Sequence, residues 1–411
     1  MEDNMSIKLN DKTSWVGKVD NRDVPFHRLV LTKGTTYNSY LIKSGKPTII
    51  DTVDISFGKE YRDNLEKEID LAEIQYIVIN HTEPDHSGGL RTLAAKAVNA
   101  VIVCTKPAVF ELKEMYKLHD REFHIVKTGD TLDIGGKTLS FIETPYLHTE
   151  ETMLTYCIED KTLFSCDVFS THVASENHFN DRESNDILED FKVYYKLIMH
   201  PHRMYVKEMI EKIKDLDIEI IAPSHGYILR KNARDFIQIY DDMSRNINST
   251  RKALVLFSSM TGNTKEIAGE IKEIYDDNHI EMNMVDVNKT ELDDVISEIK
   301  AADIVFFGTS TRYADMIGNL EPVLKKLEDI DLGGKCAVAF GSYGWSGEPI
   351  EIIQEYLNAS GFNTLNTSDI VKSTGMTDVY FPIRIRFSLN KESRETLKRA
   401  VYHTIDQVMA E

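Results

Sequence analysis

The chain has 411 residues, 42% of them apolar, and a formal net charge of −19; this length suits two or three domains, each able to bury a core. The acidic balance, with no basic stripe, sets aside nucleic acid and anionic membrane surfaces as partners, and neither a ~18-residue apolar span nor an apolar signal segment after Met1-Glu2-Asp3-Asn4 is present. The four cysteines, Cys104, Cys157, Cys166 and Cys336, form no CxxC pair, which excludes a zinc ribbon or rubredoxin module and suits a reducing, cytoplasmic setting.

In chain order, Tyr40-Leu41-Ile42 and Thr48-Ile49-Ile50-Asp51 predict a hairpin around Ser44-Gly45-Lys46. The apolar run Tyr76-Ile77-Val78-Ile79 predicts a buried strand, followed at once by His81-Thr82-Glu83-Pro84-Asp85-His86 and Ser87-Gly88-Gly89. Val101–Cys104 and Leu139–Ile142 are further strands, the second followed by His148. Thr162–Cys166 precedes Asp167, and Ile218–Ala222 precedes Pro223-Ser224-His225. The polar, turn-rich stretch Ser244–Arg251 predicts a linker, which sets domain boundaries of 1–247 and 248–411. Beyond it strands and helices alternate. Ala253–Phe257, Asp303–Gly308 and Cys336–Gly341 are continuous apolar strands, as a parallel sheet covered on both faces requires. A helix from about Thr264 places Ile267, Ile271 and Ile274 on one face. The second half is therefore a doubly wound α/β domain.

His81, Glu83, Asp85 and His86 cannot be buried together without partners or metal. With His148, Asp167 and His225 they make four imidazoles and three carboxylates. That set is too large for one ion and suits two ions bridged by a carboxylate. Any one of these histidines alone is more often structural; the cluster at 81–86 is what carries the inference. The common hydrolase version of the motif has His at the position of Glu83 and binds zinc. A hard anionic oxygen there favours iron and redox chemistry.

In the second half, three strand-end loops converge where such sheets bind ligands. They are Ser258-Ser259-Met260-Thr261-Gly262-Asn263-Thr264, Thr309-Ser310-Thr311-Arg312-Tyr313-Ala314 and Gly341-Ser342-Tyr343-Gly344-Trp345-Ser346-Gly347-Glu348. The first, at a helix N-terminus, suits a phosphate. Tyr313, Tyr343 and Trp345 could flank a flavin ring.

This arrangement resembles the metallo-β-lactamase fold and, more narrowly, the flavodiiron proteins, over nearly the whole chain. The family pattern is H-x-E-x-D-H followed by spaced His, Asp and His. Here 61 residues lie between His86 and His148, 18 between His148 and Asp167 and 57 between Asp167 and His225. The resemblance implies a metallo-β-lactamase-like αβ/βα sandwich followed by a flavodoxin-like doubly wound sheet. It assigns His81, Glu83 and His148 to one iron and Asp85, His86 and His225 to the other, with Asp167 bridging. In some members the counterpart of His86 turns away from the metal. It implies FMN on the three loops, and a cytoplasmic oxidoreductase that reduces dioxygen to water or nitric oxide to nitrous oxide, dioxygen being favoured. It implies a separate donor, either a rubredoxin-like protein or a reduced deazaflavin coenzyme, and a head-to-tail homodimer or a dimer of dimers. The alternative is a zinc-dependent hydrolase of the lactamase fold fused to a flavin module, against which Glu83 argues. The chain departs from the family at Thr149-Glu150-Glu151-Thr152-Met153, where Trp-Pro-Asp-Ser-Met is common, and at Val168-Phe169-Ser170-Thr171-His172, where Ala-Phe-Gly-Gln-His is common. His172 and Tyr195 are further candidates for the wall of the metal pocket.

Overall fold

The computed structural model describes residues 7–26, 29–182, 187–245 and 249–409. Contacts divide the chain after Ser244 into two compact units. Ser244 and Arg245 end a helix, Ala233–Arg245. The rest of the expected linker includes 246–248, so the expected 247/248 boundary lies outside the described residues.

The first unit holds two main sheets. One runs β1 (Ile7–Lys8), β2 (Thr13–Trp15), β3 (Tyr40–Ile42), β4 (Thr48–Ile50), β5 (Tyr76–Val78), β6 (Val101–Cys104) and β7 (Phe123–Ile125), in that spatial order. Strands β1 to β4 pair antiparallel, and β4 to β7 parallel. The second runs β8 (Thr131–Asp133), β9 (Thr138–Glu143), β10 (Met153–Cys157), β11 (Thr162–Cys166) and β12 (Ile220–Pro223). The expected hairpin forms, with Tyr40 opposite Ile50.

Strand periodicity explains how the two sheets meet. Tyr40, Ile42, Ile50, Val78 and Val103 point into a core shared with Phe141, Met153, Phe164 and Ala222 of the second sheet. Their neighbours Leu41, Ile49, Ile77 and Ile102 point the other way and pack under Leu90, Leu93 and Leu112. Strands apolar on both faces follow from this double coverage.

The second unit is a sheet in the order β14 (Met282–Asp286), β13 (Ala253–Ser258), β15 (Ile304–Arg312), β16 (Cys336–Tyr343), with β17 (Asn363–Thr364) and β18 (Ile383–Arg386) both beside β16. All these pairings are parallel. Leu254, Leu256, Val305, Phe307, Ala337 and Ala339 meet the helices carrying Val295, Leu324 and Ile353 on one face. Helix Asn263–Asp277 packs on the sheet as well, with Tyr275 edge-on to Phe306. Strand β15 runs four residues past the expected Gly308. Its β-branched Thr309 and Thr311 suit a strand, and the extension pairs with β16 up to Ser310 opposite Ser342 before folding back at Arg312 opposite Asp315.

Candidate metal centre and flavin site

Each of the seven metal-type residues follows a strand of the first unit. His81 lies just past β5, where Asp51 accepts the Asn80 backbone N–H at 2.7 Å and its side-chain amide at 2.9 Å. Glu83 precedes the short helix Pro84–Ser87, which places Asp85 and His86 one turn on. His148 follows β9, Asp167 follows β11 and His225 follows β12. Asp167 sits between Cys166 (φ 52°) and Phe169 (φ 67°), both in the left-handed region that costs energy for residues with a Cβ.

All seven converge. His81 Nε2 lies 3.7 Å from Glu83 Oε2 and 3.6 Å from Asp167 Oδ2, and His148 Nε2 lies 3.8 and 3.5 Å from the same two atoms. His86 Nε2 lies 3.5 Å from Asp85 Oδ2 and 3.4 Å from Asp167 Oδ1, and His225 Nε2 lies 3.4 and 3.5 Å from that pair. His86 therefore turns inward. Donor atoms held ~2.0–2.2 Å from one ion lie roughly 3–3.6 Å apart; six of the eight spacings fall in that range and the two to Glu83, at 3.7 and 3.8 Å, just beyond it, so the set suits two ions. The Nε2 atoms of His81 and His86 and the Oδ2 of Asp85 are buried and make no hydrogen bond. Such atoms cost free energy unless something pairs them.

The far side of the imidazoles is held in place. His81 Nδ1 lies 2.6 Å from Glu151 Oε1 and 3.2 Å from Thr149 Oγ1. His225 Nδ1 donates to the Thr36 carbonyl at 2.7 Å, and His86 Nδ1 lies 3.8 Å from Cys166 Sγ. Such bonds fix the ring so that Nε2 faces the centre. The Tyr194 hydroxyl donates to Asp167 Oδ1 at 2.9 Å. His172 packs its ring 4.9 Å from those of both His225 and Tyr194. Tyr195 is buried against Tyr240, ring centroids 4.8 Å apart, while its neighbour Tyr194 is the one that reaches Asp167. Glu151, Thr36 and Tyr194 carry no motif signal, although Glu151 lies in the departure after His148 and Tyr194 precedes Tyr195.

Electrostatics follow from crowding ions of both signs away from water. Burial disfavours the charged forms of His81 and His86. Glu151 outweighs it for His81, which is raised well above the usual histidine range, and Asp167 and Asp85 push His86 up to about 9. Burial raises Asp85 and Asp167, but the facing imidazoles more than reverse this and hold both below the usual carboxylate range. Positive charge is what the carboxylates demand, and metal ions supply it in place of protons.

In the second unit the three expected loops lie at one edge of the sheet. Helix Asn263–Asp277 starts at Gly262 (φ 94°) and helix Glu348–Ala359 at Gly347 (φ 71°), so both N-termini are opened by glycines in the left-handed region. Gly262 N–H donates to Ser259 Oγ at 3.1 Å. The buried Thr264 hydroxyl lies 2.8 Å from both Ser310 Oγ and Ser342 Oγ, which ties the three loops together. Ser310, Thr311 and Arg312, and likewise Ser342 and Tyr343, are strand ends rather than loop. Tyr313 and Ala314 form the turn, with φ of 53° and 62°. Met260, Tyr313 and Trp345 are exposed, Trp345 to 93%. An aromatic ring this open beside an anion-binding helix end fits a flat, phosphorylated cofactor. A fourth segment joins them: Phe387 N–H donates to the Tyr343 carbonyl at 2.8 Å, and Arg386 lies over the Phe387 ring.

A two-metal site on a lactamase-type sandwich, joined to a flavodoxin-type sheet, defines a flavin-dependent metalloprotein. The ODP family beta lactamase matches residues 35–226, and flavodoxin matches residues 255–386. The "anaerobic nitric oxide reductase flavorubredoxin" of Vibrio vulnificus is 36% identical over 88% of this chain and 74% of its own length. An uncharacterised protein of Methanocaldococcus jannaschii is 35% identical over 88% of this chain and 92% of its own. The flavodiiron protein of Giardia intestinalis matches in structure with a TM-score of 0.59 and 28% identity, over 98% of this chain and 96% of that one. Rubredoxin oxygen:oxidoreductase of Desulfovibrio gigas matches with a TM-score of 0.58 and 27% identity, over 98% of both chains. The chain belongs to the flavodiiron protein family, and its cofactors are FMN and a diiron centre. Among the described residues no helix is long and apolar enough to cross a membrane.

Proposed function

We propose that His81, Glu83 and His148 hold one iron and Asp85, His86 and His225 the other, with Asp167 giving one oxygen to each. The observation that carries this is the division of Asp167: Oδ2 faces His81 and His148, and Oδ1 faces His86 and His225. We assign FMN to Ser259–Thr264, Thr311–Ala314 and Ser342–Gly347, with its phosphate at the start of helix Asn263–Asp277. When bound, the two cofactors supply electrons from the flavin and a metal pair able to reduce a diatomic molecule. The chain's own residues hold that pair in register. Glu151 and the Thr36 carbonyl fix the tautomers of His81 and His225, leaving Nε2 as the donor. Tyr194 holds Asp167 against rotation.

The reaction we propose is reduction of nitric oxide to nitrous oxide, supported by the name of the Vibrio relative. Reduction of dioxygen to water is the second reading; the sequence resemblance favours it, and the name of the Desulfovibrio protein supports it. The donor is a separate rubredoxin-like protein, with a reduced deazaflavin coenzyme as the alternative, and the working assembly is a head-to-tail homodimer. The test is a side-by-side anaerobic rate measurement on the protein loaded with iron and FMN, using one artificial donor. Turnover of neither gas would reject the activity. Zinc in place of iron, with esterase turnover, would favour the hydrolase instead. A fully active monomer in sedimentation would reject the dimer.

A further inference from the structure

The loop that carries Tyr313 is a tight hairpin. Strand β15 runs to Arg312, turns at Tyr313-Ala314 and returns along Asp315–Met316, with Arg312 opposite Asp315 and Thr311 opposite Met316. Both turn residues are left-handed, at φ 53° and 62°, the pattern of a two-residue hairpin turn that glycine and asparagine favour. Tyrosine and alanine are disfavoured there, and such backbone persists only where its surroundings over-determine it. Two cross-strand pairs are too few to do so alone.

The return strand is clamped from outside the hairpin. Ile317 N–H donates to the hydroxyl of buried Thr309 at 3.4 Å, and Asn319 N–H donates to Asn288 Oδ1 at 2.9 Å. The other end of the same amide, Asn288 Nδ2, donates at 3.0 Å to Oγ of Ser258, which is buried at the end of β13. One side chain from the turn after β14 thus spans from the sheet to the hairpin. Gly318 lies directly against it: at φ 65° a Cβ there would come within 1.9 Å of Asn288 Oδ1 and 2.6 Å of Ser258 Oγ. The close approach that the clamp needs is therefore suited to glycine. Asn288 is itself exposed, so replacing it removes the amide without opening the core.

We propose that Asn288, which lies in none of the three flavin loops, is the positioning residue that presents Tyr313: its amide ties the hairpin to the end of β13 and so sets the ring side of the flavin site. This role rests on FMN binding to those loops. The test is a titration of the full protein, freed of flavin, with FMN and with riboflavin, which has the ring but lacks the phosphate. Asn288→Ala is expected to weaken both flavins by the same factor, about 3- to 10-fold, the net worth of one hydrogen bond. Gly318→Ala, whose Cβ would displace the amide, is expected to weaken both at least as much. In a Tyr313→Ala background, Asn288→Ala is expected to add less than about twofold, because the two residues act through one contact. Wild-type affinity in Asn288→Ala or Gly318→Ala would overturn the proposal. So would a loss confined to FMN, which would put the effect at the phosphate, or full additivity with Tyr313→Ala. Wild-type protein that binds neither flavin would instead sink the flavin assignment, which separates the two failures.

Discussion

Tyr194→Phe isolates one atom behind the metal centre. The Tyr194 hydroxyl donates to Asp167 Oδ1 at 2.9 Å, with both residues buried. Phenylalanine keeps the ring and its packing against His172, whose centroid is 4.9 Å away, so only the hydrogen bond is lost. A buried hydrogen bond to a charged acceptor contributes about 1.5–3 kcal/mol. At ~1.4 kcal/mol per decade this predicts iron held roughly 10- to 100-fold less tightly, the range that other partners behind metal ligands give. The measurement is anaerobic competition of the ferrous protein with a coloured chelator, reading iron released per FMN retained. FMN content is the internal control, because the flavin belongs to the other unit. Iron retention within twofold of wild type would refute the idea that Tyr194 steadies the shared carboxylate.

Other substitutions probe separate terms. Burial lowers the affinity of His403 for a proton to about pH 4, Asp369 opposing it. The unfolded chain protonates near pH 6.5, so between these values the unfolded state binds more protons and stability falls as pH falls. The loss reaches about 3 kcal/mol by pH 4, and urea unfolding of His403→Gln at pH 4.5 and 7 should show a flatter dependence; an equal slope argues against it. Gly308→Ala would drive a Cβ to 2.1 Å from the Phe340 ring. Overpacking of that kind costs about 1–3 kcal/mol, so the flavodoxin transition should move to lower urea while that of the first unit stays put. Glu83→His exchanges a hard oxygen for nitrogen, and metal analysis after growth with both metals should show the iron-to-zinc ratio falling together with gas turnover.

The seven candidate metal residues are legible as a set because each follows an apolar strand, where polar side chains of that type have little structural use. The residues behind them were not. Glu151 meets His81 across 70 positions, Thr36 meets His225 across 189 and Tyr194 meets Asp167 across 27. A glutamate or a backbone carbonyl at such distances has no local signature; tertiary packing alone selects it. The flavin edge divides the same way. The loop ending at Thr264 reads as a helix start, whereas the helix that opens after Gly347 and the full length of β15 are hidden, the latter because Thr309–Arg312 lack apolar residues. The alternation Ile383-Arg384-Ile385-Arg386 did carry a strand signal, with both isoleucines buried, and it places Phe387 beside Tyr343.

Charge matching explains why these particular acids surround the centre. A buried site tolerates little net charge. Two ferrous ions held as proposed would face three ligand carboxylates, Glu83, Asp85 and Asp167, leaving one positive charge uncompensated. Glu151, 2.6 Å from His81 Nδ1, would offset it as a carboxylate without occupying a coordination position. In the hydrolase version of the motif, with His in place of Glu83, the same shell would fall one negative charge short. Glu83 therefore does more than offer a hard oxygen: with Asp85, Asp167 and Glu151 it would complete the negative charge that two ferrous ions call for.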